Sequence, residues 1–277
     1  MNETDYGHLK RKIKQLIGID LDYYKVNQMM RRLDGFISRS GVPGVVPYCS
    51  LLEQSPDERE KLRNFITINV SEFYRDVSYF NTLRTKIFPE LLNINHNLII
   101  LSAGCSDGQE PYSIAILLTE LSGETRHRII ATDIDKVSLD KAVAGGPYRQ
   151  TEIKSLPREL MTKYFTLRED GYYVIDRIRS KVHFRQHDLI QDPFEIDFDL
   201  IICRNVVIYF SNEAKLILMN KFCNSLKDRG VLFIGATESI LNAEAFGLQR
   251  LSPCFYRKFT LTSNTKSPVV PAFSVNR

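Results

Sequence analysis

Two glycines, Gly104 and Gly108, lie in the run LSAGCSDGQEPYS (101–113), directly after the apolar stretch Leu98–Leu101. A glycine where a strand turns into a helix lets backbone approach a ligand closely. Pro111 fits the first turn of that helix, where a missing N–H is harmless. Asp133 ends the next apolar run, 29 residues after Gly104. A doubly wound sheet places a carboxylate there to accept both hydroxyls of a ribose. The loop lacks the third glycine of G-x-G-x-x-G, and position 106 is Ser. This disfavours a dinucleotide such as NAD and favours a nucleoside ligand without a diphosphate, such as S-adenosylmethionine. Glu110 agrees, because a carboxylate there repels a pyrophosphate but can help hold a ligand ammonium.

Three further segments carry polar groups of the right kind. Asn69, Ser71 and Arg75 stand close together in INVSEFYRD (68–76). His187, Asp188 and Leu189 follow a third apolar run, and Asn205, Val206 and Tyr209 follow a fourth. In an open α/β sheet the ligand crevice lies at the carboxyl ends of the strands. All but the Arg75 segment fall at such an end. His187 reads as a strand-end residue with a structural hydrogen bond.

These residues need a frame. Residues 8–89 are helical by periodicity, with apolar positions such as Ile13, Leu16, Ile17 and Met29, Met30, Leu33 three and four apart. Gly41, Pro43, Gly44 and Pro47 mark a loop, Pro56–Val70 an amphipathic helix, and Val77–Leu92 another, interrupted by Pro89. From 97 onward the texture changes. A strand at 98–101, a helix at Pro111–Leu121 and a strand at Arg128–Thr132 make a βαβ unit with a parallel sheet. Val182–Arg185, Asp199–Cys203 and Val231–Gly235 are further buried strands, and Phe255–Phe259 a last short one. YYVIDRIR (172–179) reads as an extra exposed strand. The chain thus divides into a helical domain (1–89), an α/β domain (90–260) and a flexible tail (261–277), rich in Ser, Thr and Pro.

Composition narrows the class. The 277 residues are 43% hydrophobic and 25% charged, as in an ordinary globular protein, and no apolar run approaches a membrane span. Five cysteines, none in C-x-x-C, read as reduced thiols of a cytoplasmic protein without a metal site. The formal charge is only +4, yet eight bases face three acids between His8 and Arg39. That stretch therefore carries more than the whole surplus. Lys25, Arg32 and Arg39 recur every seven residues, which sets them along one helix face, with Val26, Met29, Met30, Leu33, Phe36 and Ile37 turned inward.

ITINVSEFYRD (66–76), AGCSDGQEPYS (103–113), ATDID (131–135), CRNVVIYF (203–210) and GATES (235–239), in this order, resemble the CheR-type chemotaxis receptor methyltransferases. The resemblance runs from about Asp5 to Phe259. It implies a class I S-adenosylmethionine-dependent methyltransferase fold. That fold is Rossmann-like, with a mostly parallel seven-stranded sheet, an N-terminal all-α domain and a small inserted β-subdomain near 164–186. It implies a reaction, esterification of receptor glutamates, and a product, S-adenosylhomocysteine. It also implies roles. Asn69, Ser71, Arg75, Gly104, Glu110, Asp133, Asp188, Leu189, Asn205 and Val206 would bind the cofactor or line its site, and Tyr209 would stand beside the transferring methyl; the chemistry of a carboxylate acceptor adds a catalytic expectation, that Arg75 orients it and Tyr209 donates a hydrogen bond. Lys25, Arg32 and Arg39 would dock the acidic helical region of a membrane-bound receptor. The implied enzyme is a monomer that neither spans the membrane nor binds nucleic acid. Two positions depart from the family's usual run: Asp107, which adds a charge to the loop, and Asp188, where an Asn is usual.

The chemistry is consistent with this. A glutamate carboxyl titrates near ~4.3, so at neutral pH it attacks without a general base. A hydroxyl or amine acceptor would need one. Base methyltransferases of nucleic acids carry an Asn/Asp-Pro-Pro-aromatic segment after the fourth strand, where this chain has Arg204-Asn205-Val206-Val207 and no proline.

Overall fold

The computed structural model describes residues 1–123, 126–195 and 197–259, so the expected tail lies outside the described residues. The helical domain comprises α1 (Glu3–Ile17), α2 (Val26–Arg39), α3 (Val45–Gln54) and α4 (Pro56–Thr67). Asn2 and Ser55 cap α1 and α4, and Gly18 ends α1 in the left-handed region at φ +82°. The domain's own core gathers Leu9, Ile13, Leu33, Tyr48, Leu52 and Leu62. Two expectations shift here. Pro47 lies inside the first turn of α3, where it breaks no helical hydrogen bond. Val26 is half exposed, because it stands at the first turn of α2 beyond the packed stripe.

Ile68 leaves α4 at φ +51°, and the strap 68–76 leads into α5 (Val77–Thr82) and α6 (Phe88–Ile94). A π turn, Leu83–Ile87, separates these two helices. That wider turn absorbs Pro89, which donates no N–H, so the helical path continues instead of breaking.

The α/β domain is built on β1 (Ile99–Ala103), α7 (Gln109–Ser122), β2 (Arg128–Asp133) and α8 (Lys136–Ala144). Short helices α9 (Gln150–Ile153) and α10 (Arg158–Tyr164) lead to a hairpin of β3 (Phe165–Arg168) and β4 (Gly171–Val174), followed by α11 (Asp176–Arg179). Then come β5 (Val182–Gln186), β6 (Phe198–Cys203), α12 (Asn212–Ser225), β7 (Leu226–Ile234), β8 (Leu248–Ser252) and β9 (Phe255–Lys258). The main sheet has seven strands in the order β5-β2-β1-β6-β7-β9-β8. It is parallel from β5 to β7 and antiparallel at β9 and β8. The chain reverses direction across the sheet between β1 and β6, which is where such sheets open a ligand crevice.

YYVIDRIR is strand only to Val174. The rest turns into α11, because Ile178 is fully buried beneath it and a surface strand could not place it there. Val182–Gln186 pairs with β2 in the main sheet, so the inserted hairpin ends before it. β8 was not legible in sequence, since its edge position leaves most of its residues exposed. All five cysteines are free and buried. Among the described residues no helix is long and apolar enough to cross a membrane.

Candidate active site

The carboxyl ends of β1, β2, β5 and β6 open into one cleft of about 1150 Å³, its mouth included. The helical domain closes one side with Ile19, Tyr23, Tyr24 and Ile66. A two-residue β bridge clamps the domains there. Lys25 N–H donates to Tyr209 O (3.0 Å) and Ser211 N–H to Tyr23 O (2.8 Å), with Tyr24 edge-on to Phe210. The strap supplies a second side and is pinned at three points. Asn69 Nδ2 donates to Asp135 Oδ2 (2.6 Å), Phe73 N–H to Glu152 O (2.8 Å) and Tyr74 N–H to Ser113 Oγ (3.0 Å).

The glycine loop is shaped for a close approach. Gly104 and Cys105 both donate N–H to Thr132 O, at 2.8 and 2.9 Å. A Cβ on Gly104, at φ +78°, would sit 2.4 Å from Val206 Cγ2. Only glycine leaves that wall in place. Asp107 points away from the cleft into an ion pair with Lys141 (2.6 Å), so the loop's extra charge is neutralised outside the site.

Asp133 accepts one backbone N–H on each oxygen, from Ser106 (2.7 Å) and Asp135 (2.9 Å). Each oxygen keeps room for one hydroxyl donor, which is what a ribose diol offers. Burial pushes the carboxyl up to about 6 against those donors. Hydroxyls donated to the charged form pull it down again, so binding a nucleoside releases a proton near that pH. Affinity for S-adenosylhomocysteine is therefore expected to weaken as pH falls below about 6 and to level off above it. Calorimetry in buffers of different ionisation enthalpy reads the released proton. Asp133→Asn should abolish both the slope and the proton. The same substitution separates this proton from His187, which burial holds below its usual value.

Behind the loop lies a buried charge network. Glu110 Oε1 accepts from Ser102 Oγ (2.8 Å), and its Oε2 lies 3.4 Å from Arg204 Nη1. Burial raises Glu110, and Arg204 opposes the shift. Arg204, itself buried, also donates through Nη2 to Asp76 (2.6 Å) and to the carbonyl of Arg75 (3.1 Å). Its guanidinium lies over the Phe233 ring at 4.9 Å. With Arg204 and Lys154 taking Asp76 and Glu72, Arg75 has no ion pair among the described residues. Among the described residues its side chain donates only from Nη1 to Val70 O (3.1 Å), and, half-buried, it lines the cleft. Opposite, Glu238 accepts N–H from Gly235 (2.6 Å), Ile208 (3.2 Å) and Asn205 (3.3 Å), the last held at φ +61°.

Comparison with known proteins agrees with this architecture. A family model described as "CheR methyltransferase, SAM binding domain" matches residues 69–253, and "CheR methyltransferase, all-alpha domain" matches residues 4–67. The chain belongs to the CheR methyltransferase family. A chemotaxis protein methyltransferase of Listeria monocytogenes is 37% identical over 257 residues, covering 92% of this chain and 98% of the relative. One from Borreliella burgdorferi is 35% identical over 272 residues, with 93% and 95% covered. Chemotaxis protein methyltransferase 2 of Vibrio cholerae is 30% identical over 272 residues, with 93% and 90% covered. This CheR methyltransferase thus combines the all-α domain with an S-adenosylmethionine-binding methyltransferase domain, as its mostly parallel seven-stranded sheet and flanking helices require.

Within it, the cleft gathers every residue expected to bind the cofactor or serve catalysis: Asn69, Ser71, Arg75, Gly104, Glu110, Asp133, Asp188, Leu189, Asn205, Val206 and Tyr209. Their engagements differ. Asn69 is tied to Asp135, and Asp188 caps its own loop through Ile190 N–H (2.8 Å) and Gln191 N–H (3.0 Å). Glu110 shares its charge with Arg204 and so offers a ligand ammonium less than a free carboxylate would. His187 bonds Pro193 O through Nε2 (3.1 Å), the structural part expected of it.

The single basic face on α2 needs correction. Lys25 and Arg39 are exposed, but Arg32 is half-buried. Its guanidinium lies over Phe65 (4.9 Å) and near the Tyr209 ring (5.9 Å), and Nη2 caps the carbonyl of Phe65. That carbonyl, in the last turn of α4, lacks a helical partner, which draws the arginine inward. Lys10, Lys12 and Lys14 pair with Asp22, Glu53 and Asp20, which further reduces the free charge.

Sequence reasoning assigned no role to Arg204, Glu238 or Tyr24. An arginine directly after a buried strand, and an acid four residues past the end of the next one, are the signals that could have found the first two. Tyr24 left no signal, because only the docking of the two domains brings it to the cleft.

Proposed function

We propose that this CheR methyltransferase transfers a methyl group from S-adenosylmethionine to glutamate side chains of chemotaxis receptors, as a cytoplasmic monomer acting at membrane-bound receptors. The observation that carries the reading is Arg75, a guanidinium on the cleft wall with no carboxylate partner among the described residues. Asp133 would hold the ribose, and Gly104, Leu189, Asn205 and Val206 the nucleoside's faces. Bound there, S-adenosylmethionine supplies an electrophilic sulfonium methyl and leaves as the neutral thioether S-adenosylhomocysteine.

An ionised acceptor carboxylate needs no proton removed. The cleft suits that need, for His187 is locked to Pro193 O and its Nδ1 is sealed from solvent. Arg75 would orient the acceptor through one oxygen and leave the other free to attack, and Tyr209 would donate a hydrogen bond. Alignment of this kind supplies roughly 7–11 kcal/mol.

Incubating the enzyme with methyl-labelled cofactor and chemoreceptor-containing membranes should label the receptor, and mild base should release the label as methanol. Base-stable label would mean a nitrogen or ether acceptor and overturn the ester assignment.

A further inference from the structure

Resting on that reading, we infer that the docking surface crosses the domain seam. Lys215 of α12 and Lys25 at the start of α2 form a subsite for a second carboxylate, carried on the acceptor's own helix. The β bridge brings them together. Lys25 N–H bonds Tyr209 O (3.0 Å), and Lys215 N–H bonds Ser211 O (3.0 Å), two residues further along the same bridged segment. Tyr209 lines the cleft and neither lysine does.

Neither ammonium makes a hydrogen bond or ion pair among the described residues, unlike Lys10, Lys12 and Lys14 of the helical domain. Lys215 is lowered by burial and then by the charge of Lys25, with only the buried Glu238 opposing. Glu238 is already committed to three backbone N–H groups. Two like charges held together repel each other, and a further anion relieves that repulsion. The neighbouring apolar residues argue for a protein helix over a free anion: Val26 is 50% exposed and Leu216 49%. On a helix, acidic residues three or four positions apart share a face. One carboxylate can then enter the cleft at Arg75 while another stays at this rim.

The test is a charge-swap cycle on receptor-containing membranes. Lys215→Glu should raise KM for receptor about 3- to 10-fold at low salt, less so at high salt, as rim charges do. Lys215→Gln and Lys25→Gln should act in the same direction and more weakly. S-adenosylhomocysteine affinity and Tm should not change, which guards against misfolding. Each acid within one turn of the methylated glutamate is then changed to Lys in turn. At one such position the swapped receptor should restore KM for Lys215→Glu while harming the wild-type enzyme. Unchanged KM in the lysine variants, or an equal loss with every receptor variant, overturns the subsite. A KM increase reproduced by inorganic phosphate competition alone, with no position-specific rescue, assigns a general anion site instead and also overturns it. If the wild-type enzyme transfers no base-labile label, the proposed function has failed, independently of the lysines.

Discussion

Arg75→Ala is expected to lower kcat/KM for receptor methylation about 100- to 1000-fold, the range for losing one charged group that positions reacting atoms. Both parameters should move. The acceptor loses its negative charge as the ester forms, so a guanidinium on the carboxylate favours the bound reactant as well as the aligned one. KM should therefore rise while kcat falls. Stability should hardly respond, because the side chain's only hydrogen-bond partner among the described residues is Val70 O (3.1 Å). One such bond is worth about 1 kcal/mol, which shifts Tm by about 2–4 °C in a chain of this size. Arg75→Lys should recover part of KM and little of kcat, since an ammonium lacks the planar fork. Wild-type turnover in Arg75→Ala would remove Arg75 from the mechanism.

Glu238→Ala should be the most damaging single change near the cleft for the fold itself. It strips acceptors from the N–H groups of Gly235, Asn205 and Ile208 at once. A buried donor left without a partner costs about 1–3 kcal/mol. Relief of the carboxylate's own burial, which raises its pKa, offsets part of that. A net loss of about 3–5 kcal/mol is expected, or roughly 10 °C in Tm. Asn205 sits at φ +61°, a conformation that relaxes once its N–H is released. S-adenosylhomocysteine affinity should fall at least about tenfold with it, since each 1.4 kcal/mol is tenfold. Glu238→Gln keeps one acceptor oxygen and should fall between the two. A melting curve and an affinity both matching the wild type would show that the turn holds itself.

The contrast between these residues locates the limit of sequence reasoning. Arg75 was legible as a candidate because it lies in a short polar segment beside Asn69 and Ser71. Its freedom was not, for that depends on Arg204, 128 positions from its partner Asp76. Glu238 was visible only as part of a short motif. Its task became clear when β6 and β7 paired and set Gly235 beside Asn205. Arg32 shows the reverse error, since a seven-residue spacing placed it on an outer face that Phe65 and Tyr209 then claimed.

The sequence alone determined what short-range physics controls. Apolar runs of strand length alternating with helical patterns specified a parallel sheet. Gly104, Gly108 and Asp133 marked its ligand end, and eight bases between His8 and Arg39 revealed an uneven +4. Those signals repeat every two or about four residues and survive without a tertiary partner. Only the tertiary structure decided how that charge is distributed, which acids are neutralised, and that the strap and Tyr24 close the cleft. Such pairings join residues far apart in the chain, and burial sets their strength, so no local pattern encodes them.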